Sequence, residues 1–209
     1  MRRTPVFTLT DEAELRRLIE QNPWITLVSH TSKGLVASHY AVLLDDSRDE
    51  LAIVGHVGRP DERLHELGEH EVMVIVQGPH GYISPGWYHD ERAGFVPTWN
   101  HVTAHLYGVP QLLSDAENFE VLDRLVDRFE ERMPEPVSLQ IDDAAARRIA
   151  LGTVGIRLVV TRFDARAKLS QNKTPEVVGR IIDALEAGEH YSHHDLAAEM
   201  RRVRDHDPR

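Results

Sequence analysis

The 209-residue chain has no cysteine, which excludes disulfides, thiolate metal centres, iron–sulfur clusters and cysteine nucleophiles. The same absence fits a reducing compartment. No apolar stretch approaches the eighteen or so residues of a membrane span, and the basic start Met1-Arg2-Arg3 is not followed by the apolar run of a secretory signal. A cytoplasmic protein with no membrane partner is therefore expected. Positive charge is scarce: 24 Lys and Arg face 34 Asp and Glu, a formal net charge of −10 at pH 7. Broad nucleic-acid binding relies on cations that neutralise phosphates, so this balance argues against it. Internal repeats and low-complexity tracts are also missing, which leaves solenoid and linker architectures without support.

Catalytic signatures are equally thin. Among the thirteen histidines, His101 and His105 have the spacing of a helical zinc pair. The residues around them read as strand, however, where four positions separate side chains by roughly 13 Å. His193 and His194 diverge on a helix and no HExxH occurs, so no metal site is expected; a single axial histidine for haem stays open. Ser84 precedes a proline and lacks the GxSxG setting of an activated serine. The carboxylates fall mostly on exposed helix faces, and no catalytic residue is assigned.

What the chain does contain is concentrated. Aromatics make up only 6 % of it, yet Gly81 to Gly108 holds two of the three tryptophans and three of the five tyrosines. They are interleaved with Ser84, Thr98, Asn100 and histidines. Rings offer stacking area and small polar groups fix orientation, which suits a flat ligand with polar edges. Two aromatic strands packed across a sheet would leave the same pattern.

Around this stretch the periodicity predicts a helix after Thr10-Asp11 carrying Leu15, Leu18 and Ile19 and ending at Pro23. Strands follow at Trp24 to His30, Leu35 to Leu44 and Leu51 to His56. Pro60 opens a short helix stopped by Gly68, and Glu71 to Gly78 is a strand leading into the aromatic stretch. His89 to Gly94 reads as a charged, mobile loop, and Val102 to Leu113 as strand broken near Pro110. Ser114 with Glu117 forms a capping box for a helix with the apolar stripe Phe119, Leu122, Leu125, Val126 and Phe129. A short helix spans Asp142 to Leu151, and Gly155 to Arg166 reads as one long strand. Thr174-Pro175 caps a helix that stops at Gly188, and Ser192 caps a last one through Leu196 and Met200. Many short antiparallel strands with few helices predict a β-barrel with peripheral helices, an α+β fold, rather than βαβ units.

Three motifs, GYISPGWY (Gly81 to Tyr88), VPTWNHVTAHLYG (Val96 to Gly108) and KLSQNK (Lys168 to Lys173), occur in the order seen in the PaiB family of FMN-binding proteins classed as negative transcriptional regulators. The chain resembles that family also at Pro5 to Phe7, Ala37 to His39 and Gly55 to Pro60, so the resemblance spans nearly all of it. Departures occur at Tyr40-Ala41, where Leu-Pro is usual, at Gly58 for Ala, at Gly86 for Ser, at His101 for an aromatic and at Lys173 for Arg. The resemblance implies a split β-barrel of the flavin-reductase-like type over residues 1–170, with residues 171–209 as a helical extension. It further implies a homodimer with FMN held at the subunit interface, and DNA as a partner.

For an FMN phosphate, the basic candidates within the motifs are Arg59, Lys168 and Lys173. Lys168 stands out because it ends a strand beside Ser170, Gln171 and Asn172, which can hydrogen-bond a ribityl chain or ring edge. Trp87, Tyr88 and Trp99 could stack on the ring; Ser84, Thr98 and Asn100 could meet its polar edge. These aromatics would equally fill a dimer interface. His39 is a flavin neighbour or a hydrogen-bonded structural histidine. Three functions follow: a flavin-dependent regulator of the PaiB kind, an FMN-dependent oxidoreductase, and a haem-binding or haem-degrading relative. Direct DNA contact is disfavoured, since Thr174 to Arg209 carries five Lys and Arg against eight Asp and Glu.

Overall fold

The computed structural model describes residues 4–92, 96–188 and 190–206. Its strands are β1 (Thr8–Leu9), β2 (Trp24–Thr31), β3 (Gly34–Leu44), β4 (Ala52–Gly58), β5 (Val72–Ile83), β6 (Thr98–Gly108), β7 (Gln111–Leu112), β8 (Thr153–Val159) and β9 (Arg162–Lys168). The helices are α1 (Glu12–Gln21), α2 (Arg59–Leu64), α3 (Asp115–Glu130), α4 (Asp143–Ala150), α5 (Pro175–Glu186) and α6 (His194–His206). The strands form one antiparallel sheet in the order β1-β9-β6-β5-β2-β3-β4-β8-β7, as the barrel expectation requires. Its residues group into two compact units, one of residues 1–11, 77–104 and 164–209 and the other of residues 12–76 and 105–163.

In the second unit, β2 and β3 pair from Trp24↔Ala41 to Thr31↔Gly34. The tight connection uses Gly34 at φ 113°, a conformation open to glycine because it lacks Cβ. Strand β4 pairs β3 and then β8 along its length. One sheet face is closed by α1, which buries Leu15, Leu18 and Ile19. Helix α3 buries Phe119, Val121 and Leu125, against a cluster that includes Val54 and Leu43. Ser114 caps α3 by accepting from the Glu117 amide while the Glu117 carboxylate accepts from Ser114, the reciprocal box its sequence predicts. The apolar lining of Ile25, Leu27, Val42, Val54, Val74 and Leu158 leaves a void of only about 10 Å³; the interior is packed, not a chamber.

The first unit contains β1 paired with β9 through Thr8↔Arg166 and Leu9↔Ala165, together with α5 and α6. Thr174 accepts from the Val177 amide to cap α5, whose apolar face Val177, Val178, Ile181, Ile182 and Leu185 is buried. Both nitrogens of the Arg201 fork on α6 reach Glu186 on α5, at 2.7 and 2.9 Å.

Several details differ from the sequence expectation. The stretch Gly155 to Arg166 is two strands, because Val160 and Thr161 leave the ladder and donate to the carbonyls of Leu51 and Tyr107. The first turn of α6 is capped by the His193 ring, whose Nδ1 accepts from the Leu196 amide at 3.3 Å, not by Ser192. Phe129 lies 45 % exposed outside the α3 stripe. The expected loop from His89 to Gly94 begins inside a 3-10 helix, Pro85–Arg92; Ala93 and Gly94 lie outside the described residues.

Candidate functional site

Nine of the eleven expected ligand residues belong to the first unit: Ser84, Trp87, Tyr88, Thr98, Trp99, Asn100, Lys168, Gln171 and Asn172. The centre of the group is the end of β9. Lys168 donates from Nζ to Thr98 Oγ1 and to the Trp99 carbonyl oxygen, the latter at 2.7 Å. These partners are neutral, so the ammonium charge is not cancelled. Burial lowers the Lys168 pKa, and the positive charge of Arg166 lowers it further.

Immediately after Lys168 the chain turns through Ser170 at φ 67°, a left-handed conformation costly for a residue with Cβ. Its side chain explains how the turn is held. Asn100, fully buried, donates to Ser170 Oγ at 2.9 Å and contacts Met200 Sδ at 3.4 Å. Asn100 is thus a buried brace between β6, the turn and α6. Gln171 is turned onto its own turn as well: its Oε1 accepts from the Leu169 amide and its Nε2 donates to the Ala167 carbonyl. Asn172 is exposed.

The GYISPGWY segment supplies a second brace. Ser84 accepts the Gly86 amide on its hydroxyl and the Trp87 amide on its carbonyl, a hydroxyl-stabilised turn. Tyr88 is 2 % exposed, its carbonyl receives Arg180 at 3.2 Å, and the Lys173 ammonium sits 5.0 Å over its ring. Trp99, in contrast, is 54 % exposed, with the His80 ring 5.8 Å away.

An open groove of about 460 Å³ is lined by Thr4, Phe7, Thr98, Trp99, His101, Arg166 and Lys168. That volume lies in the range of small-ligand sites. Among the described residues no carboxylate lines it, although the chain as a whole carries net charge −10. Burial depresses the His101 pKa, and the charges of Arg166, Lys168 and His80 depress it further, so the imidazole is neutral at pH 7. The Nε of Arg166 is buried with no hydrogen-bond partner among the described residues. Two cations, one of them with an unsatisfied donor, beside aromatic rings fit an anionic ligand that has a flat part. Phe7, His101 and Arg166 were not among the expected ligand residues. The available signal was strand alternation, which puts Arg166 on the same face as Lys168.

Arg59 and His39 belong to the other unit. The Arg59 guanidinium is held by the Leu151 carbonyl at 2.6 Å and Asp115 at 3.0 Å. His39 Nδ1 pairs with Thr26 Oγ1 at 3.0 Å, and its ring stacks on Trp24 at 6.3 Å. Both side chains thus have local structural partners.

The fold is shared with solved flavoproteins. The flavocytochrome Anf3 of Azotobacter vinelandii aligns with a TM-score of 0.61 at 13 % identity, over 86 % of this chain and 78 % of that one. An FAD and haem binding protein of Mycobacterium smegmatis aligns with a TM-score of 0.59 at 17 % identity, over 88 % and 81 %. The architecture is a split β-barrel of the flavin-binding type. Residues 1–162 match the family described as "Putative FMN-binding domain". The chain is 30 % identical over 197 residues, 93 % of each protein, to "Protease synthase and sporulation protein PAI 2" of Bacillus subtilis. It belongs to that FMN-binding domain family, as its PaiB-like motifs indicate.

Proposed function

We propose that this protein binds FMN in the Lys168 groove, works as a cytoplasmic homodimer, and serves as a flavin-dependent regulator. The observation that carries the reading is the groove, lined by no carboxylate among the described residues, in which Lys168 is anchored to Thr98 and the Trp99 backbone beside an exposed indole. Lys168 would meet the anionic part of the cofactor, and Trp99 would cover a ring face. Asn100, Ser170 and Gln171 would act by fixing the turn that carries Lys168. Bound FMN would supply one- or two-electron redox chemistry, while the protein sets orientation and electrostatics. Residues 1–170 then constitute the cofactor-binding body and 171–209 its helical extension. The exposure of Trp99 and Val96, 54 % and 77 %, supports burial of this edge by a second copy.

Regulation by direct DNA contact has little support. Arg201, Arg202 and Arg204, the basic cluster near the C-terminus, pair with Glu186, Glu199 and Asp205. A regulatory output through a protein partner fits the acidic surface better. The openness of the groove favours a second reading, an FMN-dependent oxidoreductase that admits a small substrate beside the ring.

The test is an absorption spectrum of the purified protein after incubation with FMN and gel filtration, with haemin in parallel. Retained flavin bands support the proposal, and reduction of that flavin by NADH or NADPH with reoxidation by an acceptor would favour the oxidoreductase. A Soret band without flavin would replace both readings with haem binding.

A further inference from the structure

We propose that Arg166 and Lys168 together form a phosphate-monoester subsite in the groove, with Arg166 as the specificity-determining residue. The flavin reading enters only in naming FMN as the source of that phosphate. Both side chains leave the same face of β9, two residues apart. The Arg166 guanidinium is stationed 5.3 Å from the Phe7 ring, so its plane has apolar support. Its Nε is buried and donates to nothing among the described residues, and a buried donor without an acceptor is destabilising unless a ligand supplies one.

The surroundings select for a compact dianion. Among the described residues no carboxylate lines the groove, so none of them competes within it for the guanidinium. A neutral His101 adds no further positive charge. A guanidinium presents Nε and Nη donors in a planar fork matched to two phosphate oxygens, whereas an ammonium acts as a point charge. Arg166 therefore reads the shape of the anion and Lys168 supplies charge. Riboflavin, which lacks the phosphate, would leave the Arg166 donor as unsatisfied as it is in the free protein.

Titrating the full-length protein with FMN and with riboflavin, followed by quenching of flavin fluorescence, reads the subsite as a ratio of two affinities. Wild type is expected to favour FMN by about tenfold or more, as charge-assisted hydrogen bonds would give. Arg166→Gln should lose that preference with riboflavin affinity unchanged, and Arg166→Lys should fall between them. An unchanged ratio in Arg166→Gln overturns the subsite, as does an equal loss for both flavins. Thermal unfolding in inorganic phosphate against chloride at equal ionic strength gives a readout that needs no flavin: Tm should rise for wild type and not for Arg166→Gln. A phosphate response through Arg166 without binding of either flavin would keep the subsite and sink the flavin reading. No response in either assay would sink the subsite.

Discussion

Two charged sites, one in each compact unit, treat charge in opposite ways. In the unit of residues 12–76 and 105–163, the Asp45 carboxylate is 1 % exposed and fully matched, by Arg157 Nε at 2.6 Å and by the Ser47 hydroxyl at 2.6 Å. The apolar interior nearby retains a void of only about 10 Å³. In the other unit, Lys168 is held by neutral acceptors, Arg166 Nε has no acceptor among the described residues, and both line a groove of about 460 Å³. Arg157, Arg166 and Lys168 all lie on strands of the same sheet, so secondary structure does not distinguish the two arrangements. A charge cancelled inside the protein serves the fold, whereas a charge positioned but left uncancelled beside open space is available to a ligand.

This contrast can be broken most severely at Asp45. Asp45→Ala is expected to destabilise the fold by about 3 kcal/mol, the lower end of the cost of breaking a buried pair, because Arg157 keeps Glu117 at 3.8 Å; urea denaturation reads it. The same pair should be visible in the pH dependence. Burial alone would raise the Asp45 pKa, but the hydrogen bonds from Ser47 and Arg157 outweigh it and hold the carboxyl below its ordinary value. Its stabilising contribution is therefore complete above the unfolded value of about 4 and is lost as pH falls through the lower folded one. Asp45→Asn should flatten that part of an acid titration; an unaltered acid profile would show that other carboxylates dominate.

Lys168→Ala should do the reverse, leaving unfolding nearly unchanged while weakening FMN by about tenfold or more, in line with roughly 1.5–3 kcal/mol for a charge-assisted bond. Equal FMN affinity in the folded variant would remove Lys168 from the site. Trp99→Ala tests the same separation at lower amplitude: about 0.5–1.5 kcal/mol of flavin affinity, if the indole stacks, with stability within about 0.5 kcal/mol because the side chain is exposed. A stability loss without an affinity loss would make Trp99 a packing residue. The smallest effect expected is that of Ser114→Ala, about 1 kcal/mol from the α3 cap, visible in the melting temperature and absent from any ligand titration.

Local rules made much of the fold legible in the sequence. The Ser114–Glu117 box and the Thr174 cap each rest on residues a few positions apart. The end of β8 was not legible, because Val160 and Thr161 are good strand formers and leave the ladder only through partners far away in the chain. The His193 cap escaped for a related reason: serine is the commoner N-cap, and only the backbone path decides which neighbour meets the Leu196 amide. At the site, Lys168 was conspicuous because KLSQNK is a polar island. Arg166 was not, since an arginine in a strand ordinarily points to solvent, and nothing in its neighbours announces a donor without a partner.

The mismatch between a groove lined by no carboxylate among the described residues and a chain of net charge −10 has a kinetic consequence. A dianionic ligand of the kind proposed would be repelled at distances where the whole molecule acts, and attracted only within the last several ångströms, where Arg166 and Lys168 would dominate. Salt screens the long-range part over a Debye length of about 10 Å at 0.1 M. Added salt should therefore speed arrival and also speed departure, so the affinity of the groove changes less with ionic strength than either rate does. That behaviour would separate a pocket of local charge from a surface steered by its overall field.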